Sequence, residues 1–230
     1  MVSTNSKPHL VLFDVDGTLT DTHDVSSAAY LRSAKKHFSL EAINPNWNEY
    51  KSSTATGIAQ EITQKQWGRA PLEDELKGIR EDVLSAVKEA SIGGVPGSVE
   101  IIEYLLKSDH YAVGIATGNF RCVVEHTLSG IGIPKNIPLA TADEHLERTG
   151  IITLCAEKAR ARANVQSFRA ITYIGDGAWD YRAAQSLGHD FIGVGPCPRM
   201  GSMAGGRRVA DFTNREAFIG LLKTKQSALI

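Results

Sequence analysis

The chain has 230 residues, of which 42% are hydrophobic and 22% charged, values typical of globular proteins rather than of disordered or membrane proteins. Its 25 Lys and Arg residues balance 26 Asp and Glu residues, so no net field attracts a nucleic acid or an anionic membrane. The three cysteines, Cys122, Cys155 and Cys197, lie far apart and outside any CxxC spacing, which argues against a disulfide framework or zinc site. With no signal-peptide pattern and no apolar run of roughly 18 residues, we expect a soluble protein of the reducing cytoplasm.

The first predicted element is a buried strand. The run HLVLFDV, residues 9–15, is apolar and β-branched, and an Asp-Gly pair ends it in a sharp turn. The strand would carry Asp14 and Asp16 to its carboxyl end, where residues two apart point the same way and Gly17 lets backbone N–H groups approach an anion. In phosphoryl transfer, two such carboxylates can supply a nucleophile and a proton donor if a cation offsets their charge. The same turn can also simply end a strand.

A long helical stretch follows this strand. Its patterns are VSSAAYLRSAKKHF, NEYKSSTATGIAQEITQKQW and LEDELKGIREDVLSAVKEA, and no convincing strand interrupts them. The turn GGVPG, residues 93–97, then starts another helix and marks a boundary between lobes. We therefore predict a helical domain of residues 23–92, inserted into a core domain of residues 1–22 and 93–230.

Beyond this boundary strands and helices alternate. The predicted strands are YAVGIAT, IPLAT, ITYIGD and DFIGVG, the helices between them are RCVVEHTLSGI, ITLCAEKARARA and AWDYRAAQSL, and VADFTNREAFIGLL supplies a last strand and helix. This alternation predicts an α/β fold with a doubly wound parallel sheet. Ligands of such folds bind outside the carboxyl ends of the strands.

The triplet Thr117-Gly118-Asn119 falls at one of these strand ends. A hydroxyl, an unhindered backbone and a helix start can together bind phosphate oxygens. Such a triplet can equally be an ordinary capped turn.

The segment GDGAWD, residues 175–180, falls at another strand end. Asp176 and Asp180 are four residues apart and face the same side if a helix begins here. Carboxylates suit Mg²⁺, which keeps several waters and bridges to a substrate phosphate. Alternatively, Asp176 is a turn residue and Asp180 a first-turn acid favoured by the helix dipole.

In their order and placement these motifs resemble the haloacid dehalogenase-like (HAD) superfamily. FDVDGTLTD matches its first motif, Thr117 its second, and GDGAWD the GDxxxD form of its fourth. The helical insert resembles the subclass I cap of the phosphoglycolate phosphatase and β-phosphoglucomutase relatives. The resemblance spans nearly the whole chain and implies a Rossmann-like core with an all-helical cap domain.

The resemblance also implies roles for the acids. Asp14 would attack phosphorus, and Asp16 would protonate the leaving group and then activate water. Mg²⁺ would be bound by the carboxylates of Asp14 and Asp176 and the main-chain carbonyl of Asp16. Asp180 would be either a direct ligand or a residue that contacts one of the direct ligands. Because dehalogenases of the superfamily lack the second acid, Asp16 favours phosphate chemistry over carbon–halogen cleavage.

The phosphate-binding set implied by the resemblance is Thr117, Gly118, Asn119 and a third-motif cation. Relatives often carry a Lys-Pro pair there, and none stands between the second and fourth motifs. Lys158, the one Lys in a helix just before the last of these strands, is the predicted cation. Arg148 is the alternative, since its separation from the fourth motif is closer to that of capped relatives. Either side chain can instead be a solvated charge on a helix.

Other residues are candidates for substrate recognition. Those of the insert are Thr54, Thr56, Gly57 and His23, although a Ser/Thr cluster is also common in simple loops. Those of the Gly- and Arg-rich stretch near the C-terminus are Arg199, Arg207 and Arg208, for which solvation is an equal explanation.

The sequence therefore predicts a Mg²⁺-dependent phosphatase that hydrolyses a small phosphorylated metabolite through an aspartyl-phosphate. A phosphoryl-transferring mutase of the same superfamily and a non-catalytic metabolite-binding module are the alternatives. No nucleic acid or membrane partner is expected, and monomer and dimer both remain open.

Overall fold

A computed structural model describes residues 7–195 and 207–224. Within these ranges six parallel strands form one sheet in the order β3-β2-β1-β4-β5-β6. They are β1 (His9–Phe13), β2 (Tyr111–Ala116), β3 (Leu139–Ala140), β4 (Ala170–Gly175), β5 (Asp190–Val194) and β6 (Arg208–Val209). The predicted doubly wound α/β fold is confirmed.

The strand order reverses at β1, which lies in the middle of the sheet. The chain passes outward from β1 to β2 and β3, then returns to β4 on the other side and continues to β6. Every residue of β1 is buried, and Leu12 pairs with Gly114 on one side and Tyr173 on the other. In open parallel sheets the crevice outside the carboxyl ends at such a reversal is the usual ligand site. Residues that follow β1 and β4 therefore meet in that crevice.

In the part of the chain that the structure describes, five helices cover the two faces of the sheet. They are α4 (Ser98–Leu106), α5 (Arg121–Gly130), α6 (Arg148–Ala163), α7 (Ala178–Ser186) and α8 (Arg215–Lys223). Alternate β1 side chains point to opposite faces, so Val11 and Phe13 pack with α4, α5 and α8, whereas Leu10 and Leu12 pack with α6 and α7. None of the helices in the described ranges is long and apolar enough to cross a membrane.

The stretch between β1 and α4 is helical, as expected. It contains α1 (His23–His37), a 3₁₀ helix (Trp47–Glu49), α2 (Ala55–Trp67) and α3 (Glu73–Glu89). The predicted helix from Asn48 onward is interrupted, because the Thr54 hydroxyl accepts from the Gly57 N–H at 3.1 Å and caps α2 there. Helices α1–α3 share a hydrophobic cluster that also includes Phe120 and Val123 next to and within α5. The boundaries 23–92 of a separate domain stay a prediction.

Both ends of this helical segment are hydrogen-bonded to each other. The Asp21 N–H donates to the Gly93 carbonyl at 3.0 Å, and the Gly93 N–H donates to the Asp21 carboxylate at 2.7 Å. The Val95 N–H donates to the Leu19 carbonyl at 2.9 Å. The chain therefore leaves and re-enters the core at neighbouring points.

His9, at the start of β1, should make stability depend on pH. It is 2% exposed and its Nε2 lies 2.8 Å from the Thr172 hydroxyl. Burial, and then the nearby Arg169, lower the pKa of His9 to about 4 from 6.5. The unfolded chain thus takes up a proton before the folded chain does, and the free energy of unfolding falls as pH drops from 6.5 to 4, by at most about 3 kcal/mol.

Urea unfolding of the wild type and His9→Gln between pH 4 and 7 measures this effect. Between pH 6.5 and 4 the free energy of unfolding should fall more steeply in the wild type than in His9→Gln. The control is His110→Gln, which changes an exposed histidine and should give the same curve as the wild type. Parallel curves for the wild type and His9→Gln would contradict the assignment.

Candidate active site

A tight turn after β1 positions the first two acids. The Val15 carbonyl accepts from the N–H groups of Thr18, Leu19 and Thr20 at 3.1, 2.8 and 3.0 Å. Gly17 has φ of 83°, a left-handed conformation that favours glycine, and its N–H donates to the Thr20 carbonyl at 2.7 Å. The turn places the Asp14 side chain, which is 4% exposed, beside the ends of β2 and β4.

Three buried carboxylates meet at this point. One oxygen from each of Asp14, Asp176 and Asp180 lies within 4.8 Å of the others. Asp176 follows β4, and Asp180 lies in the first turn of α7, where its Oδ2 accepts from the Gly177 N–H at 3.1 Å. The predicted placement of both GDGAWD acids on one side is therefore observed.

The guanidinium of Arg148 contacts this cluster. Its Nη1 lies 3.3 Å from Asp14 Oδ1 and 2.8 Å from Asp180 Oδ1, and it also donates to the Tyr173 hydroxyl at 3.2 Å. Its Nη2 donates to the Ser53 carbonyl in the helical segment at 2.7 Å. The side chain is 10% exposed, so the guanidinium joins the acids of the core to the segment above them.

The charged groups of the cluster shift one another's pKa values. Burial, and then the neighbouring Asp180 carboxylate, raise the pKa of Asp14 well above its ordinary value, whereas Arg148 acts to lower it. Burial also raises the pKa of Asp180, again against the effect of Arg148. Burial disfavours the charged guanidinium of Arg148, but the surrounding acids outweigh it and raise its pKa. When all three acids are ionised, three carboxylates and one guanidinium leave an excess of negative charge, and oxygen donors in this arrangement fit a hard divalent cation such as Mg²⁺.

Asp16 is held by three side-chain donors. Its Oδ1 lies 2.6 Å from the Thr22 hydroxyl and 2.9 Å from the Ser26 hydroxyl, and its Oδ2 accepts from the Asn119 amide at 2.9 Å. Asn119 thus reaches Asp16 from the connection between β2 and α5, while Ser26 reaches it from α1. Either hydroxyl can rotate to accept a hydrogen bond when Asp16 carries a proton.

The triplet Thr117-Gly118-Asn119 lies between β2 and α5, on the same edge of the sheet. Thr117 is 1% exposed, and its hydroxyl accepts from the Asn119 N–H at 3.4 Å. The Gly118 carbonyl accepts from the Ala55 N–H at 2.7 Å, so the triplet contacts the start of α2 directly. All three residues line one cavity with Asp14 and Asp16.

Gly118→Ala should impair the site through steric overlap. A Cβ at this position would meet the Ser53 carbonyl at 2.9 Å and the Arg148 guanidinium more closely still. Moving either group disturbs the alignment of the acids, and we expect kcat/KM to fall by roughly tenfold or more. Steady-state kinetics should show this loss in Gly118→Ala but not in Gly130→Ala, since a Cβ at Gly130 has no atom within 4 Å. Equal activity of the two variants would refute the steric argument.

The helical segment supplies the opposite wall of the cavity, which has a volume of about 100 Å³. Its lining residues from this segment are His23, Ser26, Ser27, Tyr30, Trp47, Ser53, Thr54, Ala55, Ile58 and Val83. Trp179 of α7 completes the lining and stacks on His23, with ring centroids 6.0 Å apart and planes 7° apart. His23 Nδ1 lies 3.9 Å from Asp176 Oδ2, so this stacked pair stands at the acidic end.

Two of the threonines singled out in the sequence fasten the segment to the core. The Thr54 hydroxyl donates to the Leu146 carbonyl at 2.5 Å, and the Thr56 hydroxyl donates to the Ala142 carbonyl at 2.7 Å. A Cβ on Gly57 would meet the Leu146 carbonyl at 2.6 Å, so glycine permits this close approach. The start of α2 is thereby held over the sheet edge.

The structure does not bring Lys158 to the acids. Its ammonium donates to the Leu139 carbonyl of β3 at 2.8 Å and forms an ion pair with Glu144. Arg207 and Arg208 bond to main-chain carbonyls, including Phe191 and Gly195, and do not line the cavity. Arg199 lies outside the described residues.

Arg148 occupies the place predicted for Lys158 because α6 begins earlier than its hydrophobic pattern suggested. The predicted helix started at Ile152, whereas α6 starts at Arg148 itself. The first turn of α6 lies at the sheet edge, and Lys158 is ten residues further along the helix. The sequence signal for Arg148 was its separation from GDGAWD. The aromatic wall formed by Tyr30 and Trp47 has no such signal.

The fold has known counterparts. Residues 11–194 match the family model described as haloacid dehalogenase-like hydrolase, and the chain therefore belongs to this hydrolase family. The resemblance inferred from the motifs is confirmed, as is the expectation of a HAD-like hydrolase.

Solved structures show the same fold at low identity. A hydrolase from Pseudomonas syringae has 19% identity and a TM-score of 0.70, covering 94% of this chain and 98% of its own. CbbY from Rhodobacter sphaeroides, in complex with phosphate, has 20% identity and a TM-score of 0.69, covering 92% and 98%. A β-phosphoglucomutase from Clostridium difficile has 19% identity and a TM-score of 0.71, covering 94% and 97%. A search of the curated proteins found no match.

Proposed function

We propose that this chain is a Mg²⁺-dependent phosphatase that hydrolyses a small phosphomonoester through a phosphorylated Asp14. The observation that carries the proposal is the buried cluster of Asp14, Asp176 and Asp180 carboxylates beside the Arg148 guanidinium. Such a cluster is costly to bury unless it binds charged groups. A phosphoryl group and a divalent cation would together satisfy it.

Asp14 is the proposed nucleophile because it lies in the cluster and lines the cavity. Attack of its carboxylate on phosphorus would release the alcohol, and Asp16 would give that alcohol its proton. Water would then attack the phosphorus of the aspartyl-phosphate and lose its proton to Asp16, which frees inorganic phosphate and restores both acids.

Mg²⁺ is the proposed cofactor, held by the carboxylates of Asp14, Asp176 and Asp180 and the carbonyl of Asp16. When bound it neutralises charge on the acids and polarises the phosphoryl oxygens. Its charge would also oppose the rise in the pKa of Asp14, favouring the ionised nucleophile.

The proposed phosphate-binding set is Thr117, Gly118, Asn119 and Arg148. Arg148 replaces Lys158 in this proposal because its guanidinium is within 3.3 Å of Asp14, whereas Lys158 pairs with Glu144. The CbbY structures in complex with phosphate and with xylulose-(1,5)bisphosphate supply a fold-level analogy for a phosphorylated ligand. A cytoplasmic location also belongs to the proposal, and Cys122 and Cys155 are free thiols that suit it.

Release of inorganic phosphate from a panel of small phosphomonoesters tests the proposal. Release should require Mg²⁺, stop on chelation with EDTA and return when Mg²⁺ is restored. Conversion of an ester to an isomer with little free phosphate would favour the mutase alternative. Binding without turnover, and independent of Mg²⁺, would favour the metabolite-binding module.

A further inference from the structure

The two ends of the cavity differ in chemistry. One end carries Asp14, Asp16 and Arg148, where the phosphoryl group would lie. The lining residues Tyr30, Trp47, Ile58 and Val83 belong instead to one hydrophobic cluster, and they form a second, apolar end. The alcohol part of an ester bound at Asp14 would extend towards this second end.

Most polar groups at the second end are already paired within the protein. The Tyr30 hydroxyl donates to the Ala55 carbonyl at 2.7 Å, and Trp47 Nε1 donates to the Ser27 hydroxyl at 3.2 Å. The Thr54 hydroxyl donates to the Leu146 carbonyl. These groups keep the wall in place and present mainly carbon to a ligand.

No Lys or Arg of the described residues lines the second end. Among the described residues that line the cavity, Arg148 is the one Lys or Arg, and it is bonded to Asp14, Asp180 and the Ser53 carbonyl. His23 lies beside Asp176, at the acidic end. Against this described lining, a carboxylate or second phosphate on the alcohol would be taken out of water without a counter-charge, which is strongly unfavourable.

We propose that the alcohol part of the substrate is small, uncharged and largely apolar, with room for a hydroxyl that bonds to Ser27. This inference rests on the proposed phosphatase function. The cavity volume of about 100 Å³ lies below the roughly 300–1,000 Å³ of pockets for drug-sized ligands, which limits the alcohol to a few carbon atoms. The preferred class is therefore a simple alkyl or hydroxyalkyl monophosphate, and not a bisphosphate or a phosphorylated carboxylic acid.

Two matched pairs of esters test the inference. Ethyl phosphate and phosphoglycolate are similar in size and differ by a carboxylate, and propyl phosphate and propane-1,3-diol bisphosphate differ by a second phosphate. With Mg²⁺, kcat/KM should be at least about tenfold higher for the uncharged member of each pair. Equal or reversed preference, with Mg²⁺-dependent phosphate release intact, would overturn the inference and leave the proposed function standing.

If none of the four esters is hydrolysed, the proposed function fails on this panel. Calorimetric titration of the same four compounds into the protein then decides the inference separately. Tighter binding of the uncharged members supports it, and equal or weaker binding refutes it.

A variant that adds the missing cation provides a second test. Ser27 is partly buried in α1 and lines the second end, so Ser27→Arg would place a guanidinium there. The preference for ethyl phosphate over phosphoglycolate should shrink by at least about tenfold in Ser27→Arg. Ser27→Gln, which is long but uncharged, should retain the wild-type preference. An unchanged preference in folded Ser27→Arg, or the same change in Ser27→Gln, would contradict the inference.

Discussion

Asp14→Asn is expected to lower kcat by at least about 10⁴-fold, the scale of loss seen when a covalent nucleophile is removed. The amide has nearly the shape of the carboxylate but cannot attack phosphorus. Because burial and the neighbouring Asp180 already disfavour the charge on Asp14, the neutral amide should not reduce stability in the absence of Mg²⁺. Single-turnover kinetics together with thermal unfolding in EDTA measure both effects.

The matched control for this change is Asp24→Asn. Asp24 is exposed in the first turn of α1, so the same loss of one carboxylate should leave kcat within about twofold of the wild type. Activity retained in Asp14→Asn would exclude the aspartyl-phosphate mechanism. Loss of activity accompanied by a large fall in the melting temperature would point instead to a structural role for Asp14.

Arg148→Ala is expected to lower kcat by about 10³-fold, the upper range for removal of one preorganised charge from a buried site. The variant would leave the Asp14 and Asp180 carboxylates without their guanidinium and the Ser53 carbonyl without its donor. Arg148→Lys should recover only part of the activity, because one ammonium cannot match the planar fork that reaches both the acids and Ser53.

Lys158→Ala tests whether the loss of activity in Arg148→Ala comes from the position of Arg148 in the site or from removing a positive charge from α6. Lys158 lies on the same helix but is bound to Glu144 and the Leu139 carbonyl, so its removal should change kcat by no more than about twofold. Steady-state kinetics of the three variants with Mg²⁺ give the comparison. A severe loss in Lys158→Ala with near-normal activity in Arg148→Ala would restore the assignment made from the sequence.

The fold and the acids of the site could be predicted from the sequence because each is indicated by a local pattern of residues. An apolar strand followed by Asp-Gly places Asp14 and Asp16, and the i, i+4 spacing within GDGAWD places Asp176 and Asp180. The alternation of strands and helices then brings these strand ends to one edge. These inferences required no knowledge of distant contacts.

The cation and the cavity wall depend on distant contacts and were harder to predict. The choice between Arg148 and Lys158 turns on where α6 begins, and helix boundaries are weakly encoded by hydrophobic periodicity. The wall formed by Tyr30 and Trp47 depends on how α1 and the 3₁₀ helix lie over the sheet. The spacing of these residues along the sequence does not predict that they lie opposite Asp14.

The paired ends of the helical segment have a consequence for how the chain tolerates change. Asp21 and Gly93 are hydrogen-bonded to each other, so the roughly 70 residues between them form one long insertion in the core. The entropic cost of closing such an insertion grows only with the logarithm of its length, by about 0.6 kcal/mol for each doubling. Changes in the length of the segment that keep its contacts with α5 and Arg148 should therefore cost the sheet little, so the alcohol-facing wall can vary while the acids of the core stay the same.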